Sequence, residues 1–282
     1  MVCAWQSFLN ILPLWMRQSV DMLGKEYLLE LRLRLNSYPE LKMKDKTKYL
    51  NRLTTAEDMH FCINAASRYS PWVANTATDG YITAPGGHRI GLCGNLSGDT
   101  GSLTGMHGVT SLCLRVARDF PGIAKGIAEN SESILIIGKP GSGKTTLLRD
   151  LIRQRSNLDN ESIAVVDERE ELFPRVNNNF CFSTGKNTDV LSACPKSKGI
   201  DTVLRTMGPG TIAIDEITAR EDCDALLHAG WCGVNILATA HAGSRDDLMR
   251  RPVYRPIVES NLFDTLLVLR GDKSWYSERL NI

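Results

Sequence analysis

Residues 138–146, GKPGSGKTT, fit the spacing G-x-x-x-x-G-K-[ST] without deviation. Glycines at such positions let consecutive backbone N–H groups turn inward around a phosphate, and a helix starting just after them adds a partial positive charge. The candidate nucleotide-binding residues are therefore Gly138, Lys139, Pro140, Gly141, Ser142, Gly143, Lys144, Thr145 and Thr146. Lys144 supplies a full charge for the terminal phosphates, and Thr145 offers its hydroxyl to Mg²⁺. The expected ligands are an ATP-like triphosphate and Mg²⁺.

Three further clusters carry chemistry that a bound triphosphate could use. In TIAIDE (211–216) an apolar run ends in two carboxylates. Asp215 is the candidate for the magnesium shell, and Glu216 the candidate base that orients and deprotonates an attacking water. VVDEREE (165–171) ends another apolar run in acidic residues, with Asp167 as a further metal candidate and Glu168 as the alternative base. A helix N-terminus stocked with acidic residues explains the same pattern. ILATAHA (236–242) brings Thr239 and His241 to a strand end, where both could sense the γ-phosphate through a hydrogen bond.

The elements needed to hold these groups are legible around them. SILIIG (133–138) reads as a strand entering the glycine loop, and KTTLLRDLIRQRS as the helix leaving it. SIAVVDE, TIAIDE and NILATAH read as strands of near-continuous Ile, Val, Leu and Ala, the composition of a parallel sheet covered by helices on both faces. Helices are expected near GIDTVLRTM and EDCDALLHAGW, with a Pro- and Asn-rich loop before the first. The fold class expected here is α/β, with a mainly parallel sheet.

The first part of the chain has a different pattern. The apolar start, interrupted by Gln6, Ser7, Asn10 and Pro13, predicts a packed helix rather than a signal peptide or a membrane span. YLLELRLRLN (27–36) alternates like a half-buried strand, and the lysines of LKMKDKTKY (41–49) suit a solvated edge strand or a loop. LTTAEDMHFCINAAS predicts a helix capped by Thr54 or Thr55, DGYITAPGGHRIGLCGN (79–95) a hairpin, and TSLCLRVAR (110–118) another strand. Pro121 and Gly122 mark a boundary before a short helix, giving a smaller α+β domain over 1–122 and a second domain over 123–282.

Composition excludes more than it selects. The net charge is +1 over 282 residues, with 43% hydrophobic side chains, which argues against a protein built to coat nucleic acid. Basic residues exceed acidic ones in the first 125 positions, an asymmetry that suits an anionic membrane surface or a merely solvated face. The 8 cysteines form no C-x-x-C pair, so a reducing, cytoplasmic compartment without a disulfide framework is expected.

Taken in order, GKPGSGKTT, VVDEREE, TIAIDEIT and ATAHA resemble the stage III sporulation protein AA family, a branch near the type II and type IV secretion ATPases. VLRTMGPGTIAIDEI is similar to the secretion-ATPase pattern before the magnesium strand. LLELRLRLN, DGYITAPGGHRIGLCG, LCLRVARDFPG and DVLSACPKSKGI look like the sporulation branch. The likeness runs most clearly over residues 28–275; it is looser at DEITARED, so Asp215 carries over better than Arg220. It implies a RecA-like P-loop NTPase domain and an ATPase at the cytoplasmic face of the membrane around a developing endospore. It also implies hexameric self-assembly and partners in a channel-like membrane complex, with no nucleic acid. In such a ring a guanidinium reaching the γ-phosphate speeds phosphoryl transfer. Arg89, Arg115 and Arg118 in the first domain and Arg205 in the second are the candidates. A nucleic-acid translocase of the same fold class and a slow, nucleotide-gated scaffold are the rival functions.

Overall fold

Proline at position 13 cannot continue a helix that precedes it, and the chain starts with two short helices on either side of it, α1 (Trp5–Ile11) and α2 (Leu14–Asp21). The structure is a computed structural model that describes residues 1–68, 80–99, 102–129, 132–158 and 161–280. Asp79, the first residue of the expected hairpin, lies outside the described residues. The chain divides into two compact units, Met1–Asp119 with Arg175–Cys181, and Phe120–Pro174 with Phe182–Ile282.

In the first unit the alternation over 28–34 becomes β1 (Leu28–Arg34), which pairs antiparallel with β2 (Glu40–Met43) and β6 (Ser102–Arg115). With β3 (Thr47–Tyr49), β4 (Tyr81–Ala84) and β5 (His88–Asp99) these form a six-stranded sheet in the order β3-β2-β1-β6-β5-β4. β3 is an exposed edge, as the alternating lysines predict. One sheet face buries Leu31, Leu33, Leu41, Ile90, Leu112 and Leu114 with Phe8, Met16 and Met59 of the helices. α3 (Ala56–Ala66) starts at a capping box: Asp58 N donates to Thr55 Oγ1 at 3.2 Å, and Thr55 N to Asp58 Oδ2 at 3.0 Å. Thr55, rather than Thr54, is the cap.

The second unit is built on a seven-stranded sheet in the order β11-β8-β12-β13-β7-β14-β15. Its strands are β7 (Ile134–Gly138), β8 (Ile163–Asp167), β11 (Thr188–Ser192), β12 (Thr211–Ile214), β13 (Asn235–Ala240), β14 (Thr265–Leu269) and β15 (Trp275–Arg279). Six are parallel, and β15 runs antiparallel at one edge. Every residue of β7, β8, β12 and β14 is buried, which is why these runs show no alternation. The helices are α4 (Lys144–Arg155), α5 (Lys196–Met207), α6 (Arg220–Trp231), α7 (Arg245–Arg250) and α8 (Arg255–Glu259). The fold is thus α/β with a mainly parallel sheet, and the N-terminal region forms a separate antiparallel sheet.

Two segments differ from the sequence expectations. Residues 121–129 are a run of turns, not a short helix, and their amides are tied to a side chain: Gly122 N and Ala124 N donate to buried Asp150. Residues 175–181, expected within the second domain, belong to the first unit. They form the ribbon β9 (Arg175–Val176) and β10 (Asn179–Phe180), closed by Asn177 and Asn178 at φ 52° and 62°. Two successive positive φ values are what a tight hairpin turn demands, and asparagine tolerates them.

Candidate functional site

Strand β7 delivers the glycine loop to the carboxyl edge of the parallel sheet, the edge where open α/β sheets bind ligands. Gly143 caps α4 at φ 105°, a conformation that a side chain would strain. A Cβ on Gly138 would come within 2.5 Å of Ser142 Oγ and 2.9 Å of Leu269 O, so the loop closes on itself only because position 138 is bare. Ser142 Oγ is itself buried without a hydrogen-bond partner among the described residues. A cradle of this shape, with an orphaned hydroxyl and a helix N-terminus, fits a phosphate group.

Lys144 is buried at the start of α4, and its Nζ donates to Gly138 O at 2.9 Å and Lys139 O at 3.3 Å. The same Nζ lies 2.9 Å from His241 Nδ1, and His241 Nε2 lies 3.2 Å from Glu216 Oε1. An ammonium donating to Nδ1 leaves the ring proton on Nε2, which then donates to the carboxylate. Three groups from three different stretches are thereby linked as Lys144–His241–Glu216. Burial draws the Lys144 ammonium below its ordinary value, against the opposing pull of Asp215 and Glu216.

Thr239, in the last turn of β13, locks the neighbouring acidic pair. Its Oγ1 donates to Asp215 Oδ1 at 2.7 Å and accepts from Glu216 N at 2.8 Å, while Ile217 N donates to Thr239 O at 2.8 Å. Glu216 adopts φ 53°, an uncommon backbone state for a non-glycine residue that is concentrated at functional sites. Its side chain is 36% exposed and that of His241 30%, so both are reachable from solvent. Thr145 and Thr146 are half-buried in the first turn of α4. The hydroxyl of Thr145 and the carboxylate of Asp215 are hard oxygen donors, the donor type that suits Mg²⁺.

The structure separates the two residues of the second acidic cluster. Asp167 is 2% exposed, and its oxygens accept from Glu171 N, Leu172 N and Phe173 N at 2.8–3.0 Å. Burial raises its carboxyl to about 6 even against these amides. Arg149 holds the same loop from the other side, through Leu172 O and Glu171 O. The carboxylate expected to bind metal is thus committed to folding the loop after β8. Glu168, 34% exposed, and Asp167 both line a cleft shared with Asp215, Glu216 and Thr218.

The arginine candidates are scattered. Arg118 donates to Lys25 O and Leu28 O, an anchor inside the first unit. Arg115, 62% exposed, stands 3.9 Å from Glu30, and Arg89 stacks on the Tyr81 ring at 3.9 Å. Arg205 lies in the last turn of α5, bonded to Asp201 O at 3.1 Å. That helix runs back from the carboxyl edge, so Arg205 sits at the opposite edge of the sheet. Arg220 pairs loosely with Asp224 at 3.9 Å. Sequence reading missed Lys273, on the turn between β14 and β15, whose Nζ donates to Gly141 O in the phosphate loop. Only the sheet pairing reveals it, because 132 residues separate the partners.

Known proteins match this arrangement along nearly its whole length. The family model for sporulation stage III, protein AA, matches residues 5–277. Stage III sporulation protein AA of Bacillus subtilis is 37% identical over 94% of this chain and 90% of that protein. Among solved structures, the ATPase DotB of Yersinia pseudotuberculosis superposes with a TM-score of 0.61 at 16% identity, over 94% of this chain and 77% of that one. The pilus retraction motor PilT, solved with bound ADP, gives 0.61 at 17% identity, over 90% and 77%. At such identities these structures speak for the fold alone, which this chain shares with DotB and PilT. The family model and the Bacillus relative speak for descent: this chain belongs to the sporulation stage III protein AA family.

Proposed function

We propose that the chain is a Mg²⁺-dependent ATPase that works as a ring, most simply a hexamer, and energises or gates a membrane complex during endospore formation. The observation that carries the enzymatic part is the linkage Lys144–His241–Glu216 beside the Asp215–Thr239 pair, at the mouth of the phosphate loop. The fold shared with DotB and PilT, and the ADP bound by PilT, support it. The docking membrane proteins and the cytoplasmic face are carried by family membership alone. No helix among the described residues is long and apolar enough to cross a membrane.

The chain's own residues divide the work. Backbone amides of Lys139 and of residues 141–145 cradle the β- and γ-phosphates, and Lys144 leaves His241 to meet them. Thr145 and Asp215 are the residues to hold Mg²⁺, which when bound neutralises charge on the phosphate oxygens. Glu216 accepts the proton of the attacking water, held in place by its strained backbone and by Thr239. His241, released by Lys144, is left bonded to Glu216 through its Nε2–H, with Nδ1 open as an acceptor. We assign Asp167 to the loop rather than to the metal. Of the arginines, Arg115, 62% exposed, retains reach for a neighbouring copy, whereas Arg118 is held by backbone carbonyls.

Phosphate release with and without Mg²⁺ tests the enzymatic reading. Glu216→Gln should lower kcat by about 10²- to 10³-fold with nucleotide affinity intact. Unchanged hydrolysis in that variant would remove Glu216 as base and leave Glu168.

A further inference from the structure

Lys196 is a buried charge with no role in the division of work just given. It is the first residue of α5, its side chain is 6% exposed, and its Nζ lies 2.7 Å from Glu168 Oε2. Two local effects disfavour lysine at that position. Burial strips the ammonium of water, and the positive end of the helix dipole repels it. The first turn of α5 contains no acidic residue to compensate, so the counter-charge comes from Glu168, which directly follows β8.

The pair stands in the cleft that Asp215 and Glu216 also line. Asp167, Glu168, Glu171, Asp215 and Glu216 line it together with Arg169 and Lys196. Asp167 also lines the cleft but is tied to backbone amides, whereas Glu168 is held there by Lys196 and is partly exposed. One oxygen of Glu168 is bonded to the ammonium, and its side chain is 34% exposed.

We propose that Lys196 is a positioning residue of the hydrolytic site, fixing the Glu168 carboxylate in the cleft so that it orients the water that Glu216 deprotonates. This rests on the ATPase reading above. Lys196 touches neither nucleotide nor water; it acts through Glu168. A lysine suits the task because a compact ammonium on a long stem reaches a carboxylate end-on, whereas the broad fork of arginine needs more room. Removing it frees the carboxylate to rotate and adds an uncompensated charge beside Asp215 and Glu216.

The test is a double-mutant cycle on the full chain, with Lys196→Met, Glu168→Gln and the combination, measuring steady-state MgATP hydrolysis. Lys196→Met should lower kcat about 10- to 100-fold with KM changed less than about threefold. The combination should be no slower than Glu168→Gln alone, and Lys196→Arg should recover part of the loss. Unimpaired kcat in Lys196→Met, a loss confined to KM, or losses that multiply in the combination would each overturn the proposal. If Lys196→Met does not fold, the same cycle with Lys196→Gln decides by the same outcomes. Hydrolysis by the unmodified chain is the control. Its absence overturns the ATPase reading and this proposal together, whereas normal hydrolysis with an unimpaired lysine variant overturns this proposal alone.

Discussion

Each unit holds a deeply buried titratable side chain, His88 in the first and Asp167 in the second, and the two are held in opposite ways. In the first unit His88 is 0% exposed; its Nε2 donates to Ala4 O and its Nδ1 accepts from Ala117 N, both at 3.0 Å. A ring with one donor and one acceptor satisfied is neutral, and burial pushes its pKa down to about 4. In the second unit Asp167 gathers three amides, yet burial pushes it up to about 6. Neither takes part in the chemistry assigned to the chain. The groups that do, Glu216 and His241, are each about a third exposed. At His88 and Asp167 a perturbed pKa marks burial rather than chemistry, and geometry is what singles out the functional residues.

Opposite shifts give opposite pH dependence, and that contrast can be broken experimentally. His88 binds a proton more weakly folded than unfolded, so its contribution is present above pH 6.5 and is lost as pH falls toward about 4. The size is on the order of 3 kcal/mol. Asp167 binds its proton more tightly folded than unfolded, so its contribution is present below pH 3.8 and is lost as pH rises through about 6. This one is also on the order of 3 kcal/mol. Hydrogen exchange corrected for intrinsic rate reads both, at Ala117 N for His88 and Phe173 N for Asp167. From pH 6.5 to 4, protection should fall at Ala117 and hold or rise at Phe173. A parallel change at the two amides would dissolve the contrast.

A smaller effect sharpens it. Thr55→Ala removes one arm of the capping box on α3 and should cost the first unit about 1 kcal/mol in urea denaturation. Phosphate release should be untouched. A change in turnover would show that the first unit's packing is not independent of the site.

The parts of this molecule that were legible beforehand are those whose causes lie within a few residues. The phosphate loop is a local pattern, and so are the buried strands that carry Asp215 and His241. The alternation of β1 and the lysine-rich edge at β3 were equally local. What escaped was set by distance or by a fold of the loop. Lys196 meets Glu168 across 28 positions and Lys273 meets Gly141 across 132, and no spacing rule links them. β11, β14 and β15 were missed, although TLLVL is as apolar as the strands that were read, because no chemical motif drew attention to it. Asp167 and Glu168 are neighbours in sequence with different fates, decided by which one the turn at 168–173 swallows. The turns at 121–129 replace a helix because Asp150 collects their amides.

The central claim is that the glycine loop of the second unit grips a triphosphate through its amides and Lys144. Isothermal titration of a non-hydrolysable MgATP analogue into the full chain and into Lys144→Ala tests it most directly. The account predicts one site per chain in the unmodified protein and a loss of affinity of at least about 10²-fold in the variant. A folded, unmodified chain that gives no heat of binding, or a variant that binds equally well, would contradict it.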